Sequence, residues 1–109
     1  MKNYALKWII QRVTATLLIP LTFWFIYTAI SFSEMNYNEI SNFFRSYINS
    51  FLFYSMMMAM LLHSKLGLQT IIEDYVTSKK TSNAIKGLIN IIAYTLMILM
   101  TLFLFKNIL

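Results

Sequence analysis

No cysteine occurs among the 109 residues, so the chain by itself forms no disulfide, thiolate metal site or iron–sulfur cluster. Acidic residues are scarce as well, with four Asp and Glu against nine Lys and Arg. Two glycines supply no phosphate-cradling loop, and there is neither a nucleophile–base pair nor a pair of buried carboxylates. The sequence therefore makes no case for catalysis by this chain alone. Charged residues make up 12% of the chain and hydrophobic residues 59%, against about 25% and roughly 45–50% in an ordinary soluble domain. A chain this short cannot bury that much apolar surface in one water-facing core, so the excess faces lipid or partner subunits. The net charge of +5 does not point to nucleic acid, because the basic residues flank apolar runs and form no aromatic-interleaved patch.

Three stretches lack Asp, Glu, Lys and Arg altogether: Val13–Ser33, Ser46–Ser64 and Gly87–Phe105, with 21, 19 and 19 residues. A hydrocarbon core of ~30 Å needs about 20 helical residues, so each stretch can cross once. A spanning segment must satisfy its own backbone groups, and three segments cannot close a barrel. The expected fold is all-α: a single membrane domain over 1–109, with three transmembrane helices at roughly 8–33, 46–76 and 83–106. The only proline, Pro20, is expected to kink the first helix, and Asn38, Ser41 and Thr81 or Ser82 are expected helix caps. The first apolar run exceeds an h-region of roughly 7–15 residues and no A-x-A-like site follows, so it reads as a retained helix.

Lys2, Lys7, Arg12, Lys65, Lys79, Lys80 and Lys86 fall on one side of this arrangement, and only Arg45 and Lys106 on the other. The excess places the N-terminus on the cytoplasmic or matrix side and the C-terminus outside.

The only histidine, His63, lies within the second apolar stretch. An ionisable side chain is costly in hydrocarbon, which makes it a candidate functional residue; neutral imidazole is also the commonest metal ligand and a ligand for haem iron. At 100° per residue, Gly67, Thr70 and Asp74 fall within about 40° of His63 around the helix. Gly67 removes the side chain that would block a flat macrocycle or another helix. If Asp74 and Tyr75 sit at the headgroups, His63 lies ~16 Å deeper, near the middle of the bilayer. Lys65 is then buried about 200° around the helix and must snorkel or find an acidic partner. A rival register ends the helix near Ser64 and leaves Asp74 and Tyr75 in water.

The run from His63 to Val76, HSKLGLQTIIEDYV, resembles the signature of the succinate dehydrogenase hydrophobic membrane anchor, the D-type subunit of respiratory complex II. Its features are a His, a Gly four residues on, and Asp-Tyr eleven and twelve residues on. Near the start, Arg12-Val13-Thr14-Ala15 is similar to the Arg-x-Thr-Ala that opens the family's first helix. The resemblance covers the whole chain in architecture and about twenty residues in motif. It implies that His63 is an axial ligand of haem b shared with a C-type cytochrome b anchor subunit. Tyr75, with Asp74 beside it, would contact ubiquinone, and Arg12 would lie near the haem propionates. It further implies an iron–sulfur subunit and a flavoprotein as soluble partners, in a bacterial inner membrane or, for an organelle-encoded gene, a mitochondrial one.

Plainer uses stand beside these. His63 can bond a neighbouring helix, Tyr75 can be an interfacial anchor, Asp74 can cap the loop or pair with Lys79 or Lys80, and Arg12 can simply orient its helix. A holin-like pore former, or a structural subunit of another respiratory complex, shares the three short helices and basic flanks.

Overall fold

The computed structural model describes residues 3–108; Lys2, counted above in the basic N-terminal flank, lies outside them. The backbone is all-helical over those residues: α1 Tyr4–Phe32, α2 Tyr37–Arg45, α3 Tyr47–Tyr75 and α4 Lys79–Ile108. Three of these, α1, α3 and α4, are long and apolar enough to cross a membrane. At 1.5 Å per residue a 29-residue helix is about 43 Å long, so each overhangs a ~30 Å core or tilts within it. The bundle measures 50 × 25 × 23 Å, one long helix in height.

Helix α3 is the centre, packing against α1 on one side and α4 on the other. Its apolar window is 22% buried, against 11% for each flanking helix, so α1 and α4 turn most of their apolar surface outward. Helix α1 runs unbroken through Pro20, whose ring is exposed. A missing N–H there costs one ladder bond, which a membrane helix tolerates.

The segment expected to be a plain connection between the first two spans contains a helix of its own, α2. Asn36 caps it by accepting from Glu39 N at 2.9 Å, and Ser46 both ends it and caps α3. Asn49 and Ser50 donate to the Phe43 and Phe44 carbonyls, satisfying acceptors that the end of α2 leaves open. Thus Asn36 and Ser46, rather than Asn38 and Ser41, are the caps. At the start of α4 the cap is Ser78, whose hydroxyl accepts from Thr81 N, so the helix begins before Thr81 and Ser82.

Ile40, Phe43 and Phe44 form the inner face of α2. Phe44 is 7% exposed and meets Phe43, Phe53 and Phe103 edge-to-face at 5.2, 5.1 and 5.8 Å between centroids. Phe32 adds a further edge-on contact to Phe43 at 5.0 Å. The short helix thereby ties the end of α1, the start of α3 and the end of α4 together at one pole.

The α3–α4 interface is stitched by polar pairs one turn apart. Lys65 Nζ donates to the Tyr94 hydroxyl at 2.8 Å, Gln69 Nε2 to Asn90 Oδ1 at 2.7 Å, and Lys86 Nζ to Glu73 Oε1 at 3.3 Å. Lys65 is 8% exposed and also lies 4.5 Å from the Tyr94 ring centroid. Lys65 thus neither snorkels nor meets an acid; the Tyr94 phenol offers it both an acceptor and a π face. The unbroken course of α3 to Tyr75 excludes a helix end near Ser64. In an apolar setting, the Gln69–Asn90 pair is expected to show a coupling of about 0.6–2 kcal/mol in a double-mutant cycle to Leu, read from unfolding in mixed micelles. Additive single and double variants would mean that the pair does not hold the hairpin together.

Candidate functional site

At the pole opposite the aromatic cluster, α1 and α3 enclose a recess of about 560 Å³. Helix α1 contributes Tyr4, Lys7, Trp8, Gln11, Arg12 and Ala15, whose spacing of three and four residues puts them on one face. Helix α3 contributes His63, Thr70, Glu73 and Asp74. His63, Arg12 and Asp74, far apart in sequence, thus share one recess. Tyr75 does not line it; it is 80% exposed and turns to the outside of the bundle. That direction follows from the 100° step past Asp74.

The imidazole of His63 is half-buried and its Nδ1 stands 3.1 Å from Thr14 Oγ1, the contact that joins α1 to α3 at this depth. Thr14 is 6% exposed, and its hydroxyl also reaches the carbonyls of Ile10 at 2.7 Å and Gln11 at 3.1 Å. A Cβ added at Gly67 would meet no atom within 4 Å, so the strip of α3 one turn below His63 is open to close approach.

Charge at the mouth of the recess is organised by Glu73. It pairs with Lys7 of α1 at 3.6 Å and Lys86 of α4 at 3.3 Å, bringing three helix ends to one level. Among the described residues Asp74 takes no part in an ion pair with Lys79 or Lys80, and Arg12 pairs with no carboxylate. The Arg12 guanidinium instead lies 5.1 Å from the Trp8 ring centroid. Arg12 and Asp74 are therefore the charged groups of the recess still free to meet a ligand or partner.

Sequence reasoning missed Lys7, Trp8, Gln11 and Glu73. The three- and four-residue spacing of Lys7, Trp8 and Gln11 on α1 was a usable signal; the pairing of that face with Glu73 and the rest of α3 was not. A second cleft of about 300 Å³ between α3 and α4, lined by Tyr47, Ser50, Tyr54, Thr101 and apolar neighbours, carries the Tyr54–Thr101 hydrogen bond at 2.9 Å and no charged group. Among the described residues no three His, Cys, Asp or Glu cluster to hold a bare metal ion.

Three membrane-length helices, with one histidine facing a polar recess near a common end, define a helical membrane subunit built to meet other groups in the bilayer. The chain belongs to the succinate dehydrogenase/fumarate reductase transmembrane subunit family, whose model matches residues 3–105. It is similar to the succinate dehydrogenase hydrophobic membrane anchor subunit of Rickettsia typhi, with 32% identity over 84 residues. The corresponding subunits of Rickettsia prowazekii and Rickettsia bellii are 31% and 30% identical over the same length. Each alignment covers 77% of this chain and 67% of the relative. Family membership decides for the anchor subunit over the pore former and the subunit of an unrelated respiratory complex.

Proposed function

We propose that this chain anchors a succinate dehydrogenase to the membrane, provides one axial ligand to haem b through His63, and helps bind ubiquinone through Tyr75. The carrying observation is the recess that gathers His63, Arg12 and Asp74 between α1 and α3. The residues present fit a haem: the imidazole of His63 lines the recess, the open strip at Gly67 on the same face of α3 admits a flat ring, and Arg12, unpaired with any carboxylate, suits propionates through paired hydrogen bonds. When bound, haem b supplies a one-electron redox centre in the membrane.

One imidazole per chain leaves a bis-histidine haem one ligand short, so a second anchor subunit of the cytochrome b type provides the other. Trp8, Gln11 and Arg12 line the side of the recess to which that subunit would dock. Tyr75, beside the recess and facing outward, presents its phenol to a quinone bound between subunits. A quinone carbonyl gains negative charge on reduction, and a phenol O–H is a suitable donor to it. Asp74 is its neighbour in sequence and lines the recess beside it. The iron–sulfur and flavoprotein subunits would dock at the same pole, where Lys7, Glu73, Lys79, Lys80 and Lys86 collect. The positive-inside rule makes this the cytoplasmic or matrix face, with the C-terminus of α4 outside, in a bacterial inner or mitochondrial inner membrane. The chain itself is non-catalytic within the oxidoreductase.

Affinity purification from native membranes through a tag on this chain tests the reading. The expected product oxidises succinate, reduces ubiquinone and shows a b-type haem spectrum, whereas the chain expressed without the second anchor holds no stable haem. A stoichiometric b-type spectrum from the lone chain would instead support an internal second ligand such as Met97 or Met100.

A further inference from the structure

We infer that Thr14 fixes the tautomer of His63, keeping the ring proton on Nδ1 and the Nε2 lone pair free to coordinate. A threonine hydroxyl has one hydrogen to give and two lone pairs to receive. Thr14 Oγ1 lies 2.7 Å from the Ile10 carbonyl and 3.1 Å from that of Gln11, and carbonyl oxygens only accept. The hydroxyl proton must lie on that side, because two oxygens 2.7 Å apart with no hydrogen between them repel. Toward His63, 3.1 Å away, Thr14 therefore accepts, and Nδ1 carries the hydrogen. A neutral imidazole has one N–H, so Nε2 is left bare. No hydrogen bond reaches Nε2 among the described residues.

The direction matters because a histidine in water prefers the opposite tautomer, with the proton on Nε2, which closes that nitrogen to a metal. Metal-ligating histidines commonly donate their other N–H to an oxygen that orients the ring and raises its basicity. Here that oxygen comes from α1, so the packing of α1 on α3 also arms the histidine of α3. Thr14 is a positioning residue that acts through His63. The usefulness of the tautomer rests on the proposed haem ligation, but the tautomer is a property of this chain and is measured without haem.

His63 is the only histidine, so labelling the full chain with ¹⁵N-histidine gives one pair of ring nitrogen signals. In lipid bilayers, for the neutral ring, the unsubstituted chain is expected to show a protonated Nδ1 and an unprotonated Nε2. Thr14→Val keeps shape and removes the acceptor, and should lower the Nδ1–H to Nε2–H ratio at least fivefold, equivalent to about 1 kcal/mol for one net hydrogen bond. Thr14→Ser restores the hydroxyl and should keep the original ratio. An Nε2–H signal in the unsubstituted chain overturns the inference whatever the variants do, as does an unchanged ratio in Thr14→Val. Neither result touches the haem reading, which stands or falls on the spectrum of the assembled complex when His63 itself is replaced.

Discussion

Replacing His63 with leucine is expected to remove the haem from the assembled complex, or to leave it weakly held with an altered spectrum and a shifted midpoint potential. The substitution deletes one axial nitrogen and puts a membrane-compatible side chain in its place. Loss of a mere supporting partner of a ligating histidine costs roughly 10–100-fold in affinity, so loss of the ligand should cost at least that. The scaffold has little reason to fail. Thr14 keeps its bonds to the Ile10 and Gln11 carbonyls when the imidazole is gone, so no buried polar group is orphaned. The Glu73 bridges to Lys7 and Lys86, which join the three helix ends, lie nearly three turns away along α3. Insertion and association with the other subunits should persist, and quinone reduction should fall less than haem content if the haem sits beside the main electron path. The check is a reduced-minus-oxidised spectrum with redox titration of the purified variant complex. An unchanged spectrum and potential would remove His63 from the list of ligands and leave it as a polar clasp between α1 and α3.

That clasp illustrates what could be read from the sequence and what could not. The three spans were legible because freedom from charge over about 20 residues is a one-dimensional property, and lipid enforces it. The placement of His63 and Asp74 on one face of α3 was legible for a similar reason, since helical periodicity fixes it. Helix α2 was not read, although Ile40, Phe43 and Phe44 carry the spacing of an amphipathic helix. Glu34, Glu39 and Arg45 made the segment look like a solvated connection, while its actual role is to close the aromatic pole. Thr14, read as part of the Arg-x-Thr-Ala stretch, bonds its own backbone and a neighbouring helix at once. Which neighbour it meets depends on how α1 rotates against α3, a tertiary variable with no signature along the chain. Lys65 was recognised as needing a partner, but the phenol of Tyr94 lies on α4 and is set by the register of the α3–α4 pair. Arg12 and Asp74 were chosen from the family motif and do line the recess with His63; Tyr75, chosen the same way, faces elsewhere.

That outward direction sharpens the expectation for Tyr75→Phe, which removes one hydroxyl and little else. Within this chain the hydroxyl has no hydrogen-bond partner among the described residues, and the residue is 80% exposed, so the variant leaves no group unsatisfied. Assembly, haem content and succinate oxidation with a soluble dye that bypasses the quinone pocket should all stay near their original levels. Ubiquinone-dependent turnover is the quantity expected to change. If the phenol donates to a quinone carbonyl as charge builds on that oxygen, its loss costs about 1–3 kcal/mol, or roughly ten- to a hundredfold in rate. An interfacial anchor behaves differently, because phenylalanine keeps the ring in the headgroup region and sacrifices only a bond to water. The two roles are separated by measuring quinone-dependent and dye-dependent rates on the same membranes. A selective fall in the quinone rate assigns the hydroxyl to the quinone, whereas equal and near-normal rates in both assays place Tyr75 in the aromatic belt and leave Asp74, inside the recess, as the residue of this chain to pursue for quinone binding.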